Sequence, residues 1–123
     1  MTIGPGRRII LTMATSLPPL DGVFAALAHP ARRAMVERLV RGEAATGELA
    51  ERHEMTLSAV LQHLEVLRSA GVVASEKRGR VRVFRLRPEV LEGANRWFAD
   101  QQARFWKAGL AAMDAALKEK DRG

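Results

Sequence analysis

The sequence predicts a mainly α (α+β) domain with four short helices, a two-stranded β hairpin and one long final helix. Three observations carry this. Apolar residues recur at three- and four-residue spacings between Val23 and Leu67, the period of helices that bury one face. The period falls to two over Val72–Leu86, with Gly79 at the reversal, as in a hairpin. The helical period returns after Pro88 and continues almost to the C-terminus. A short helix, a tight turn and a second helix, followed by such a hairpin, is the order of a winged helix-turn-helix.

The chain has 123 residues, of which 47% are hydrophobic and 28% charged, in keeping with one globular domain. Twenty lysines and arginines against fourteen acids give a net charge of +6, and a basic surface attracts polyanions such as nucleic acid. Cysteine is absent, which removes disulfides, thiolate metal ligands and thiol redox sensing. No apolar run approaches the roughly 20 residues of a membrane-spanning helix. The stretch Ile9-Ile10-Leu11 is too short for a signal peptide, so a cytoplasmic location is expected. The chain also lacks tyrosine, a nucleophile elbow and a phosphate-binding glycine loop, which argues against an enzyme.

Residues 1–19 have no sustained periodicity and end in Ser16-Leu17-Pro18-Pro19. They read as a flexible N-terminal arm carrying Arg7 and Arg8, with Met13 an alternative start. The winged helix-turn-helix domain is expected over 20–121. Asp21 is expected to cap a first helix that buries Val23, Phe24, Leu27 and Ala28. His29-Pro30 interrupts it, and Pro30 suits the first turn of the next helix. That second helix places Ala31, Met35, Val36, Leu39 and Val40 inward and Arg32, Arg33, Glu37 and Arg41 outward, with Gly42 as its stop. Thr46 is expected to cap a short third helix with Glu48 near its positive end and Leu49 and Ala50 facing in. Residues 52–55 make the turn. Thr56 caps a fourth helix running through Ala70, with Val60, Leu64 and Leu67 buried and Gly71 ending it.

The hairpin pairs Val72–Lys77 with Val81–Leu86 around Arg78-Gly79-Arg80. Its alternation slips at Val83-Phe84, which predicts a bulge. The last helix is expected over about 88–120, with a break near Gly93, and is about 40 Å long from Gly93 onward at 1.5 Å per residue. Trp97, Gln101 and Phe105 form one row along it, and Trp106, Leu110, Met113 and Leu117 another. Such a helix is longer than so small a domain can cover.

Two features point to DNA. Lys77, Arg78, Arg80, Arg82, Arg85 and Arg87 crowd one ribbon with no acid after Glu76. Their mutual repulsion is relieved by an anion, and phosphate fits the guanidinium fork. Lys77, Arg78, Arg80 and Arg82 are the expected wing contacts. The fourth helix is the candidate reader, since a helix fits the major groove and its N-terminal residues meet base edges. With Val60, Leu64 and Leu67 buried, Ser58, Ala59, Leu61, Gln62 and Glu65 face outward and His63 lies on a flank. Gln62 suits adenine, Ser58 a base or phosphate, and Thr56 a phosphate. Leu61 reads equally as a thymine-methyl contact or a packing residue. His63 reads equally as a DNA contact or a structural hydrogen bond.

The ordered set of residues resembles the ArsR-type winged-helix transcriptional regulators. Phe24-Ala25-Ala26-Leu27-Ala28-His29-Pro30-Ala31-Arg32-Arg33 is similar to the family's opening, and Gly47-Glu48-Leu49-Ala50 with Met55 to Leu67 to its core. Ala70-Gly71-Val72-Val73 and Arg78-Gly79-Arg80 continue the likeness, which covers roughly Asp21 to Leu117. It implies a homodimer that represses by occupying a palindromic double-stranded DNA operator. Dimerisation through the first and last helices would use Phe24, Trp97, Phe98, Phe105, Trp106, Leu110, Met113 and Leu117.

The chain departs from the family's metal sensors. Their paired cysteines have no counterpart around Glu48–Arg52, and the last helix has Asp100, Asp114 and Asp121 but no histidine. His29, His53 and His63 lack ligand spacing. The expectation is a member of the metal-independent subgroup with no metal and no cofactor, answering to an unidentified small-molecule or protein effector. Leu61 and Gln62 stand where members commonly carry serine and a basic residue, which predicts a different operator preference. The competing reading is a protein-interaction module that kept the fold but lost specific DNA binding; the arginine-dense wing argues against it, while Gln62 and Glu65 on the reading face keep it open.

Overall fold

The structure, a computed structural model, describes residues 18–122. The expected N-terminal arm therefore lies outside the described residues except for Pro18 and Pro19. Five helices and three strands are present among them: α1 (Leu20–Leu27), α2 (Pro30–Leu39), β1 (Ala44–Ala45), α3 (Thr46–Arg52), α4 (Leu57–Ser69), β2 (Val73–Arg78), β3 (Val81–Leu86) and α5 (Pro88–Arg122). The strands form an antiparallel sheet in the order β1-β3-β2. The chain divides into two compact units, one through Leu91 and one from Glu92 onward.

The first unit is organised around one apolar core. Met35, Leu49, Val60, Leu64, Leu67 and Val72 are wholly inaccessible, and Val23, Ala26, Leu39, Val73, Phe84 and Val90 join them. The predicted spine of α4 is thus inside. α1 starts one residue before Asp21, with Pro19 at its N-cap and no side-chain cap, so Asp21 sits in the first turn and favours the helix by charge alone. Phe24 and Leu27 are half-buried rather than buried, and Ala28 is exposed just beyond the helix end. Val40 is 65% exposed, because α2 ends at Leu39 and Val40 is its C-cap, past the buried stripe.

Three further expectations are not met. Thr46 is not the cap of α3; Ala45 holds that position, and Glu48 accepts a hydrogen bond from the Ala45 amide at 3.0 Å. Alanine has no side-chain acceptor, so this is half of a capping box. Thr46 is instead buried, and its hydroxyl donates to the Arg82 carbonyl at 3.4 Å. The hairpin register is regular from Val73↔Leu86 to Arg78↔Val81, with no bulge. Val83 and Phe84 stay in regular pairing, Ala44 with Phe84 and Ala45 with Val83, and point to opposite faces, Phe84 buried in the core and Val83 half-buried. Finally, α5 passes through Gly93 without a break.

Both helices of the helix-turn-helix end in Schellman motifs. At the end of α3, the Met55 amide donates to Ala50 O at 3.1 Å and the Glu54 amide to Glu51 O at 3.3 Å, with Glu54 at φ +53°. At the end of α4, Val72 N donates to Leu67 O and Gly71 N to Arg68 O, both at 2.9 Å, with Gly71 at φ +81°. Gly71 is required twice over, since a Cβ there would also collide with the Pro18 ring. The wing reverses at Gly79, φ +63°.

Candidate nucleic-acid interface

The reading helix is fixed at its start by Thr56, whose Oγ1 accepts a hydrogen bond from the Ala59 amide at 3.1 Å. Its hydroxyl hydrogen is left to donate. With Val60, Leu64 and Leu67 turned into the core, Leu57, Ser58, Leu61, Gln62 and Glu65 are exposed, whereas Ala59 and His63 are half-buried. Between α4 and the sheet lies a groove of about 890 Å³, lined by Ser58, Leu61, Gln62 and Glu65 from the helix and Arg82 and Phe84 from β3. Leu57, Arg68 and Ser75 complete it.

The strand register sorts the wing's cations. Lys77 lies opposite Arg82, on the same face as the pair Ser75↔Phe84 that borders the groove. Arg78, Arg85 and Glu76 point to the other face, because side chains alternate along a strand. Arg80 is exposed at the turn. Two like charges directly across a ladder destabilise it, so Lys77 and Arg82 present a cationic pair beside α4. Arg82 is steadied by donating from Nη1 to Ser75 Oγ at 3.2 Å. Arg78 is occupied differently: its guanidinium makes a two-pronged pair with Glu43 and donates from Nε to Glu76 at 3.0 Å. Hydrogen bonding from Arg78 holds the Glu43 carboxyl below its ordinary range. Arg78 therefore ties the wing to the segment leading into β1.

Glu65, an acid on the reading face, is also compensated. Arg68 donates to both its carboxylate oxygens and Ser69 donates to one at 3.3 Å. The Arg68 hydrogen bond is the largest influence keeping the carboxyl ionised below its usual range.

His63 is drawn inward by its neighbours. Arg32 Nη1 lies 3.4 Å from its Nδ1, and the His29 ring sits 4.7 Å away, tilted 51°. A guanidinium only donates, so His63 Nδ1 accepts and the proton belongs on Nε2. Arg32 is not the solvent-facing residue expected from the helix pattern. Its Nε donates to Ala26 O at 2.6 Å and its Nη2 to Ala25 O at 3.4 Å, while Arg33 donates to Leu27 O at 2.8 Å. Together they satisfy the last carbonyls of α1. His29 caps α2 by accepting from the Ala31 amide at 3.1 Å. Burial, then the charges of His29 and Arg32, push the His63 imidazole below its ordinary value.

Sequence reasoning missed Arg32, Arg68 and Glu43 as organisers of this site. The signal for Arg32 was present, since an arginine two residues after a proline-started helix lies beside the carbonyl end of the preceding one. Nothing local marks Glu43, which meets Arg78 across 35 positions.

The second unit, the remainder of α5, carries the apolar rows. Phe105 is 70% and Trp106 65% exposed, and Trp97, Phe98, Leu110, Met113 and Leu117 are exposed too. Trp97 meets Phe98 edge to face at 5.2 Å, and Phe105 meets Trp106 at 5.5 Å. The charged residues pair along the helix instead, Arg96 with Glu92, Arg104 with Asp100 and Lys118 with Asp114, each four residues apart. No group of histidine, cysteine, aspartate and glutamate suited to a metal is found among the described residues.

Known proteins share this arrangement. A helix-turn-helix domain family model matches residues 27–76. The HTH-type transcriptional regulator Rv2034 of Mycobacterium tuberculosis (strain ATCC 25618 / H37Rv) is 43% identical over 98 residues, which cover 80% of this chain and 87% of the relative. The transcriptional repressor SdpR of Bacillus subtilis (strain 168) is 27% identical over 78 residues, covering 63% of this chain and 87% of that protein. The crystal structure of the ArsR family transcriptional regulator RHA00566 is 39% identical with a TM-score of 0.67, over 72% of this chain and 96% of that one. With its helix-turn-helix, wing and long final helix in the same order, the chain belongs to the ArsR family of winged helix-turn-helix proteins and is a DNA-binding transcriptional regulator.

Proposed function

We propose that the protein is a cytoplasmic homodimeric repressor that occupies a palindromic operator, with residues 20–121 as its functional domain and 1–19 as an arm. The observation that carries the DNA contact is the convergence of the exposed face of α4 with Arg82 on one groove, Lys77 lying opposite Arg82 on the same face of the ribbon. In this reading Gln62 and Ser58 meet base edges, Leu61 meets a thymine methyl, and Thr56 and Ala59 line the phosphate-facing start of the helix. Lys77, Arg80 and Arg82 contact the backbone, while Arg78 supports the wing through Glu43. His63 acts from the flank through Arg32. Glu65, neutralised by Arg68, gives little repulsion towards DNA.

The dimer is inferred from α5, whose exposed tryptophans, phenylalanines and leucines form a patch of the kind that marks an interface. Phe24 on α1 is assigned to the dimer contact as well. Two-fold symmetry then calls for half-sites about one helical turn, roughly 34 Å, or a multiple apart. The metal-independent character rests on the missing cysteines, and the signal is assigned to a small-molecule or protein effector. A binding module rather than an enzyme fits the relatives, which are transcriptional regulators.

The test is a salt-titrated fluorescence-anisotropy measurement on DNA from the protein's own promoter, paired with sedimentation of the protein alone. Saturable binding that weakens with salt, together with a dimer mass, is expected. Absence of specific binding at about 50 mM salt would refute the operator reading. Leu110→Asp with Met113→Asp should give a monomer with weakened operator binding; a dimer that persists would move the interface elsewhere.

A further inference from the structure

A second concavity, of about 560 Å³, lies between α2 and the end of α3 and shares no lining residue with the groove beside the wing. Ala34, Glu37, Arg38, Arg41, Arg52 and His53 line it. Three guanidiniums and an imidazole thus face one carboxylate. Arg38 is anchored, donating from Nη1 to Gly42 O at 2.9 Å with its Nη2 3.8 Å from Glu48. Arg41 and Arg52 are exposed, and neither side chain makes a hydrogen bond or ion pair among the described residues. His53 Nε2 is buried with no hydrogen-bond partner.

These facts describe an arrangement left incomplete. Like charges gathered around a notch repel one another, and a buried polar atom without a partner carries an uncompensated desolvation cost. A single anion with several acceptor oxygens relieves the repulsion. A phosphoryl group suits best, because its tetrahedral oxygens can serve two guanidinium forks together, whereas a carboxylate has only two oxygens.

We infer that the α2–α3 notch is a phosphoryl-binding site in which Arg41 and Arg52 grip the oxygens and Arg38 supplies fixed positive charge, with the His53 imidazole in its wall. The phosphoryl group belongs either to the backbone of bound nucleic acid or to a free phosphorylated compound, and the chemistry is the same. Occupation also favours the protonated form of His53, which burial, then Arg52 and Arg38, otherwise disfavour.

The experiment follows the His53 imidazole by NMR in the full chain during titration with inorganic phosphate, against sodium chloride at matched ionic strength. Phosphate should shift the resonances saturably and raise the imidazole's pKa. Arg41→Gln and Arg52→Gln, both surface changes whose folding is checked by circular dichroism, should each weaken the response about tenfold. The source is decided with duplex DNA: a salt dependence shallower by about 0.9 per protomer in these variants identifies the nucleic-acid backbone. An unchanged slope alongside the phosphate response identifies a free phosphorylated compound. A His53 signal that responds to phosphate no more than to chloride, or responds identically in the Arg52→Gln protein, overturns the site. Promoter binding in the salt titration above is read independently of this result.

Discussion

Replacing Arg82 by glutamine should weaken DNA binding through its salt-dependent part, whereas replacing Arg78 should leave that part nearly intact. Both arginines belong to one ribbon, and by composition they are equivalent. The register separates them. Arg82 shares the groove-side face with Lys77 and is held only by a neutral hydroxyl, Ser75 Oγ at 3.2 Å. Arg78 faces the other way and is engaged by two carboxylates, Glu43 and Glu76. Each phosphate contact contributes about 0.9 to the slope of log affinity against log salt, so one Arg82 contact in each protomer of a dimer amounts to about 1.8. Over the fourfold range from about 50 to 200 mM salt, that slope corresponds to roughly a twelvefold difference in how much affinity the variant has lost. The assay is anisotropy of a labelled duplex over a salt series, with thermal melts run in parallel. Arg82→Gln should flatten the slope with little change in melting temperature. Arg78→Gln should keep the slope and lower the melting temperature slightly by freeing the wing from Glu43. An unaltered slope in Arg82→Gln, or equal flattening in both variants, would refute the assignment of faces.

Gln62→Ala should relax the ranking of operator variants more than it lowers overall affinity, and an unchanged ranking in a competition assay would remove Gln62 as a reader. Glu54→Gly should stabilise the fold by about 0.5–1 kcal/mol in thermal or denaturant melts, because Glu54 holds a left-handed φ of +53° at the C-terminal end of α3, where its negative charge is also unfavourable. A loss of stability would mean the Glu54 side chain makes contacts that outweigh the backbone term. The pH dependence follows from His53 and His63, both held below 6.5 chiefly by burial. The unfolded chain then binds more protons than the native one, so stability is complete above pH 6.5 and falls as pH drops below it. Between pH 6.5 and 4.5, before the exposed carboxylates titrate, His63→Gln should flatten the decline seen in melts; an unchanged profile would place the titration on another group.

Much of this protein was legible because its determinants are local. The spine Val60, Leu64 and Leu67 is read directly from helical spacing, and so is the order of helices around the turn at 52–55. Gly71 and Gly79 mark reversals that need positive φ, and both adopt it. Thr56 was recognisable as a cap because the hydroxyl and the amide it serves are three residues apart. The outward face of α4 follows once the inward face is known. The long, aromatic α5 was apparent from composition and period together.

The remaining features depend on residues far apart in the chain. β1 has two residues, too few to carry a period, and exists only because β3 offers it free backbone groups. The ladder runs regularly through Val83 and Phe84, with no bulge. Thr46 has a capping residue's chemistry, yet the sheet buries it against the Arg82 carbonyl, and Glu48 takes over at the helix start. The histidines and arginines show the division most clearly. Sequence alone determined that the wing and reading helix are rich in groups suited to DNA. Only tertiary structure decided that Arg78 is bound to Glu43 and Arg32 to His63, while Lys77 and Arg82 remain beside the groove. The reason is physical: a side chain's type sets the bonds it is able to make, but which partner comes within about 3 Å is settled by how the helices and strands pack.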